Sequence, residues 1–389
     1  MNESKARIYL DHAATSWPKS DAMLQAMNRF ARECGAAAGR GGYKSAAVAD
    51  QVVATTRKSI ATLINAESSQ CISLHSNGTA ALNAAIHGVL RGGDHVVTTA
   101  AEHNSVLRPL HHLQASGAIS LTVVPTDDQG AVDPTIILDA VRSETRLVTL
   151  THASNVTGYV QSIAEVGCGL REQAAIFLCD AAQTFGMLPI DARRAGIDLL
   201  AAPGHKGSGG PLGTGFLYAS PTVHEHLTPM VQGGTGSQSE SLAMPTEMPG
   251  KLEAGNLNTP ALAGWNVALE ELLRVGVKSR TRTMSALADQ LHLGLANIEG
   301  IRLFGRSRSL PIASIAIEGY SVTDAALILD AEFGIETRAG MHCAALIHPF
   351  LGSGAEGTLR ISGGHGTTKS DIDALTAAIK IICDNQTAF

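Results

Sequence analysis

Residues 201–218 read AAPGHKGSGGPLGTGFLY and place one lysine, Lys206, beside His205 in a glycine-rich stretch between two apolar runs. Lysines ordinarily sit in water. One held among apolar flanks has a lowered pKa, so more of it is the nucleophilic amine. The glycines let the backbone approach a partner closely. No GK[ST] triplet follows them, so the stretch does not match a nucleotide-triphosphate loop.

Other polar residues stand just after apolar runs in the same way. Gly78 and Thr79 follow CISLHS at a helix start, where free N–H groups and the helix dipole hold an anion. His103 follows HVVTTA, Asn155 follows RLVTLTHAS, and AIFLC ends in Asp180 with Gln183 one turn on. Each alone has a plain reading: a Gly-Thr cap, a structural histidine, a turn-capping aspartate. Together they offer an anion site, a planar ring, amide donors, a carboxylate and a desolvated lysine. Pyridoxal phosphate asks for this set. It needs a lysine for its Schiff base and a carboxylate that keeps its ring nitrogen protonated. It also needs a phosphate cradle and something flat against the ring.

The elements that would position these groups alternate along the chain. The apolar runs at 71–76, 95–100, 119–126, 146–154, 175–183, 197–204 and 215–220 are separated by helical patterns through the first half. Short runs apolar throughout indicate a mainly parallel sheet covered on both faces. Ligands of such sheets bind beyond the C-terminal strand ends, where the chemical residues stand. A Gly/Ser/Pro-rich stretch at 231–260 reads as extended loop, followed by two long helical patterns and a smaller α+β unit. The expected fold is α/β. Residues 1–15 join the small domain, 16–262 form the large cofactor domain, and 263–389 form the small one.

Bulk composition agrees. The 389 residues are 44% hydrophobic, 16% charged and 4% aromatic, with a formal charge of −6 and no basic block. That supplies a large core and argues against nucleic acid or an anionic membrane as partner. The first residues lack the apolar core of a signal peptide, and no run reaches the ~18 apolar residues of a membrane span. Six scattered cysteines form no CxxC pair, and His224 and His226 in VHEHL are spaced too closely for a metal site, so none is expected. A soluble cytoplasmic protein is the resulting expectation.

Ten segments in order then resemble the cysteine desulfurase and selenocysteine lyase branch of the class V aminotransferase group, within the fold-type I pyridoxal phosphate enzymes. They are YLDHAATSWPKS, GRGGYKSA, SNGTAALNAAI, AEHNSVLRPL, HASNVTG, CDAAQTFGMLPID, GHKGSGGPLGTGFLY, LEAGNLNTP, TRAGMHCA and TLRIS. The resemblance implies that Lys206 carries the cofactor and moves protons, His103 stacks on the ring and Asp180 pairs with its nitrogen. Asn155 and Gln183 would bond the ring oxygen, while Gly78, Thr79 and His205 would hold the phosphate. Arg360 would clamp the substrate carboxylate, for which a planar fork is suited, with Arg338 as a further substrate-binding residue.

Cys343, within TRAGMHCAALIHP, would take sulfur from L-cysteine as a persulfide and leave alanine, with Arg338 or His342 favouring its thiolate. The resemblance also implies a homodimer with shared sites, to which Asn256 would contribute across the interface, and a possible sulfur-acceptor protein. The sequence departs from the family pattern at His12, Pro203 and Asn256, which bear on cofactor binding, and at Met341, which bears on substrate positioning. Alternatives are L-selenocysteine as substrate, a β-eliminating C–S lyase, an aminotransferase or epimerase, and a non-catalytic sulfur-relay scaffold.

Overall fold

The computed structural model describes residues 7–236 and 240–386. In chain order the first half runs β1 (Ile8–Tyr9), α1 (Asp21–Arg29), α2 (Lys44–Ile64), β2 (Ile72–His75), α3 (Gly78–Val89), β3 (His95–Thr99) and α4 (Asn104–Ala115). It continues through β4 (Ser120–Val124), α5 (Pro134–Asp139), β5 (Thr145–Thr151), α6 (Ile163–Leu170), β6 (Ile176–Asp180), β7 (Leu199–Pro203) and β8 (Gly215–Ala219). After the long loop come α7 (Thr259–Val275), α8 (Val277–Ala296), β9 (Ile301–Phe304), β10 (Ile312–Ile317) and α9 (Val322–Phe333). The chain closes with β11 (Ile335–Glu336), β12 (Arg338–Gly340), α10 (His348–Leu351), β13 (Thr358–Ser362) and α11 (Lys369–Gln386).

Seven strands form the large sheet in the order β2-β8-β7-β6-β5-β3-β4. The five from β7 to β4 are parallel, whereas β8 runs antiparallel to both β7 and β2. Strands β3, β6, β7 and β8 are buried at every residue, so their apolar runs feed both faces. The antiparallel edge was not visible in the pattern, because a strand buried on both faces reads the same in either direction. Parallel register sets Thr151 beside Asp180 and Asp180 beside Ala201, which aligns the C-terminal ends of β5, β6 and β7.

The smaller sheet is antiparallel, ordered β12-β13-β10-β9. The short N-terminal strand β1 pairs in parallel with β11, and His12 N–H then donates to the Ser362 carbonyl. Helix α7 packs on α1 and α2 and buries Trp265, Ala268 and Leu269 in the core of the large sheet. By these contacts the division between the two layers falls near Gly276, later than the sequence boundary at residue 262. Helicity continues straight from α7 to α8, interrupted only by Gly276 at φ +81°, so the pattern carried no visible break. No described helix is long and apolar enough to cross a membrane.

Candidate active site

Lys206 follows β7 on a loop that only glycine permits. A Cβ at Gly204 would stand 2.2 Å from Thr214 Oγ1 and 2.8 Å from the Trp265 ring. The lysine lines a cleft of about 230 Å³ at the C-terminal edge of the large sheet. Burial pulls its pKa down to about 8; Asp180 opposes this, and Arg360 and Arg338 reinforce it. Relative to an ordinary lysine, a fall of that size leaves roughly 300-fold more free amine at pH 7.

Asp180 ends β6 and is 4% exposed, its Oδ1 accepting from the Ala182 N–H at 2.8 Å. Burial raises its pKa, while that hydrogen bond and Lys206 pull it back. Behind it lies Glu102, fully buried, with Oε1 accepting from the Thr151 N–H at 2.6 Å and Oε2 lacking any partner. Burial, then the Asp180 charge, pushes the Glu102 carboxyl well up. Asp180, unlike Glu102, has Lys206 to pull its carboxyl back down.

His103 caps α4, its Nδ1 accepting from the Ser105 N–H at 3.0 Å. Its pKa falls to about 4 through burial and then Lys206, so the ring is neutral. With Nδ1 as acceptor, the proton sits on Nε2. Ser105 Oγ also bonds Thr79 Oγ1 at 2.8 Å, which links the ring to the head of α3. There the Asn77 side chain takes the Ala80 N–H and not those of Gly78 and Thr79, which stand at the cleft wall. A Cβ on Gly78 would meet Pro203 Cδ at 3.0 Å and its nitrogen at 3.2 Å, so this helix start needs glycine to sit against β7.

Arg360, on β13, is 1% exposed. It donates from Nη2 to Asp11 Oδ1 and from Nη1 to the Asn155 carbonyl at 3.1 Å. Asn155 in turn donates from Nδ2 to the His342 carbonyl at 2.6 Å. Gln183 donates from Nε2 to the Ala13 carbonyl at 3.2 Å.

Cys343 is exposed and stands outside the cleft lining, on a turn whose neighbours Arg338 and His342 do line it. Both His342 (φ 51°) and Cys343 (φ 56°) are left-handed, and the Cys343 carbonyl accepts from the Asn104 N–H beside His103 at 2.7 Å. Arg338 Nη2 lies 3.8 Å from the Cys343 sulfur.

Ten of the twelve residues singled out in the sequence share this one cleft: Gly78, Thr79, His103, Asn155, Asp180, Gln183, His205, Lys206, Arg338 and Arg360. Cys343 sits at its mouth. Asn256 lies in an exposed loop outside its lining. One expectation is corrected. His342 supplies no cation to Cys343, because burial and then Arg360 hold its pKa near 2 and its Nε2 is bonded at Thr358. His12 lines a smaller pocket shared with Lys206 and Gln183; it is 6% exposed and packs on Tyr9, Gly364 and Thr367. Asp11 and Glu102 carried no assigned role in the sequence. Glu102 directly precedes His103 after a buried run, and that position was the available signal.

The donor set suits pyridoxal phosphate. Two free N–H groups and a hydroxyl stand at a helix head, a neutral ring is fixed in orientation, and a buried carboxylate faces a lysine with depressed pKa. Among the described residues, no group of three or more His, Cys, Asp or Glu could hold a metal.

A family model described as Aminotransferase class-V matches residues 8–375. The chain belongs to that family. Among class V relatives it is similar to a probable cysteine desulfurase of Methanothermobacter thermautotrophicus, 36% identical over 381 residues, covering 96% of this chain and 94% of the other. Its backbone matches an apo cysteine desulfurase from Thermococcus onnurineus with a TM-score of 0.90 at 28% identity, covering 97% of this chain and 95% of that one. The cysteine desulfurase CsdA of Escherichia coli, in an S-sulfonic acid form, matches with a TM-score of 0.87 at 28% identity, over 97% and 94% of the two chains. The expected fold, a large mainly parallel α/β domain with a smaller α+β domain, stands.

Proposed function

We propose that this protein is a pyridoxal phosphate-dependent cysteine desulfurase that converts L-cysteine to L-alanine and keeps the sulfur on Cys343. The observation that carries the reading is one thiol, Cys343, set 3.8 Å from Arg338 at the mouth of the cleft that holds Lys206 and Arg360. The names of the similar proteins point the same way.

When bound, pyridoxal phosphate supplies an electron sink for the substrate Cα. Gly78, Thr79 and His205 would hold its phosphate, His103 would support its ring, and Asp180 would answer its ring nitrogen. Asn155 and Gln183 would orient the ring oxygen and the substrate. Arg360, joined by Arg338, takes the substrate carboxylate as a planar fork. Lys206, part of it free amine near neutral pH, removes the proton from the substrate Cα and returns one later. The Cys343 thiolate attacks the substrate sulfur. An S–S bond forms, the substrate Cβ–S bond breaks with its electron pair passing to carbon, and a proton completes the alanine methyl group. Arg338 is the cation beside that thiolate.

Asn256 fits a place in the partner's cleft in a homodimer, since its own chain leaves it in an exposed loop. The exposed persulfide suits collection by an acceptor protein or a small thiol. The deciding experiment incubates cofactor-loaded protein with L-cysteine and a reductant and measures alanine and sulfide. Equal alanine and sulfide support the reading. Pyruvate in place of alanine, or neither product, overturns it.

A further inference from the structure

Both carbonyls that flank Lys206 are gripped by half-buried or buried cations. Lys19 Nζ donates to the His205 carbonyl at 2.8 Å, and Arg280 Nη1 donates to the Gly207 carbonyl at 2.7 Å. The His205 oxygen is the more crowded, also taking the Ser16 N–H at 2.9 Å, Ser16 Oγ at 3.0 Å and Thr15 Oγ1 at 3.1 Å. Two lone pairs serve four donors there, so Lys19 is not needed to satisfy that carbonyl.

The same two cations line a separate cavity of about 250 Å³ on the far side of the lysine loop. Lys206 is the single residue common to this cavity and the catalytic cleft. Glu271 of α7 and His365 complete its charged or titratable lining. Arg280 is 7% exposed, and no ion pair among the described residues involves it or Lys19. Taking a guanidinium out of water is costly unless an anion answers it. Burial accordingly pulls both cations below their ordinary values, Lys19 to about 8. His365 is also pulled down by burial and then by Arg280, and is neutral at pH 7. Apart from Lys206 itself, Lys19 and Arg280 against Glu271 leave one positive charge unanswered around the cavity.

We propose that this cavity is a second anion site, taking a small singly charged carboxylate or oxyanion between Lys19 and Arg280. The geometry gives the site a consequence. A bound anion draws on the cations that hold the carbonyls of His205 and Gly207, the residues before and after Lys206, so its occupancy is felt at the lysine loop while the cleft itself stays open to substrate. Glu271 sets the charge limit, since it repels a second negative charge.

The test titrates pyridoxal phosphate-saturated protein, whose cleft phosphate cradle is then filled, with sodium acetate or sodium nitrate against sodium chloride at matched ionic strength. The expected result is a saturable rise in Tm of about 2 °C with acetate or nitrate beyond chloride. Acetate acting at the lower concentration identifies a carboxylate site, and nitrate an inorganic oxyanion site. Lys19→Gln should abolish the rise, and Glu271→Gln should lower the anion concentration needed for half of it by roughly tenfold. The second change has a sign that mere damage to the fold does not produce. No rise beyond chloride, an equal rise in Lys19→Gln, or weaker binding in Glu271→Gln overturns the proposal. The titration reads binding and not turnover, so its failure leaves the desulfurase reading standing.

Discussion

Arg360 and Asp11 lie 349 residues apart in the chain and meet as an ion pair at 2.5 Å, with the arginine almost wholly buried. Asp11 comes from the segment after β1, which is laid along the small sheet, so the N-terminus of the chain supplies the counter-charge for the arginine facing the cleft.

Asp11→Ala is expected to destabilise the protein by about 2–4 kcal/mol, because it leaves a buried guanidinium without its anion. A lower urea midpoint with an unchanged slope would register this. A midpoint equal to that of the parent protein would show that Arg360 does not depend on Asp11.

Cys343→Ala should lower alanine formation from L-cysteine at least about 100-fold, since the nucleophile is removed. Cofactor absorbance and Tm should hardly change, because the side chain is exposed. Retained alanine formation would mean that an external thiol takes the sulfur, and pyruvate in its place would mean that sulfur leaves by elimination.

Gly78→Ala should weaken cofactor binding by tenfold or more, read as the pyridoxal phosphate concentration needed for half-saturation of absorbance. The new methyl group meets Pro203 at about 3 Å, and strand backbone cannot give way as a flexible side chain can. Parent-like saturation would remove the head of α3 from the phosphate site.

Lys206 should be acylated by an amine-directed reagent in the cofactor-free protein with an apparent pKa near 8, as its burial dictates. Mass spectrometry across pH 6–10 would follow it. An apparent pKa above 10, the value of an ordinary lysine, would show the amine to be hydrated.

Stability should fall as pH drops from about 6.5 toward 4. Burial holds His12, His75, His103, His152 and His205 near 4 and His342 near 2. With native values below unfolded ones, the unfolded chain binds more protons in this window, and acid therefore favours unfolding. The raised carboxyls of Glu102, Asp180, Asp198 and Glu253 work in the opposite sense but are fewer than the histidines. A Tm that holds constant from pH 6.5 to 4.5 would contradict this.

The sheet was legible because all seven of its strands are short apolar runs, and the cleft because its groups follow the strand ends. Asp180 and Lys206 needed only the rule that parallel strands present chemistry at their C-terminal edges. What stayed hidden depends on long-range placement. Local sequence could not pair Asp11 with Arg360, turn His12 toward the small sheet, or assign α7 to the core of the large one. Strands β9 and β12, of four and three residues, are too short for their alternation to be read.

The turn bearing Cys343 is tied down at both its left-handed residues, through Asn155 to the His342 carbonyl and through Asn104 to the Cys343 carbonyl. A sulfur loaded on so short a tether has no swing of its own. Delivery must be the work of the recipient, which has to carry a reaching arm or be small enough to diffuse to the rim.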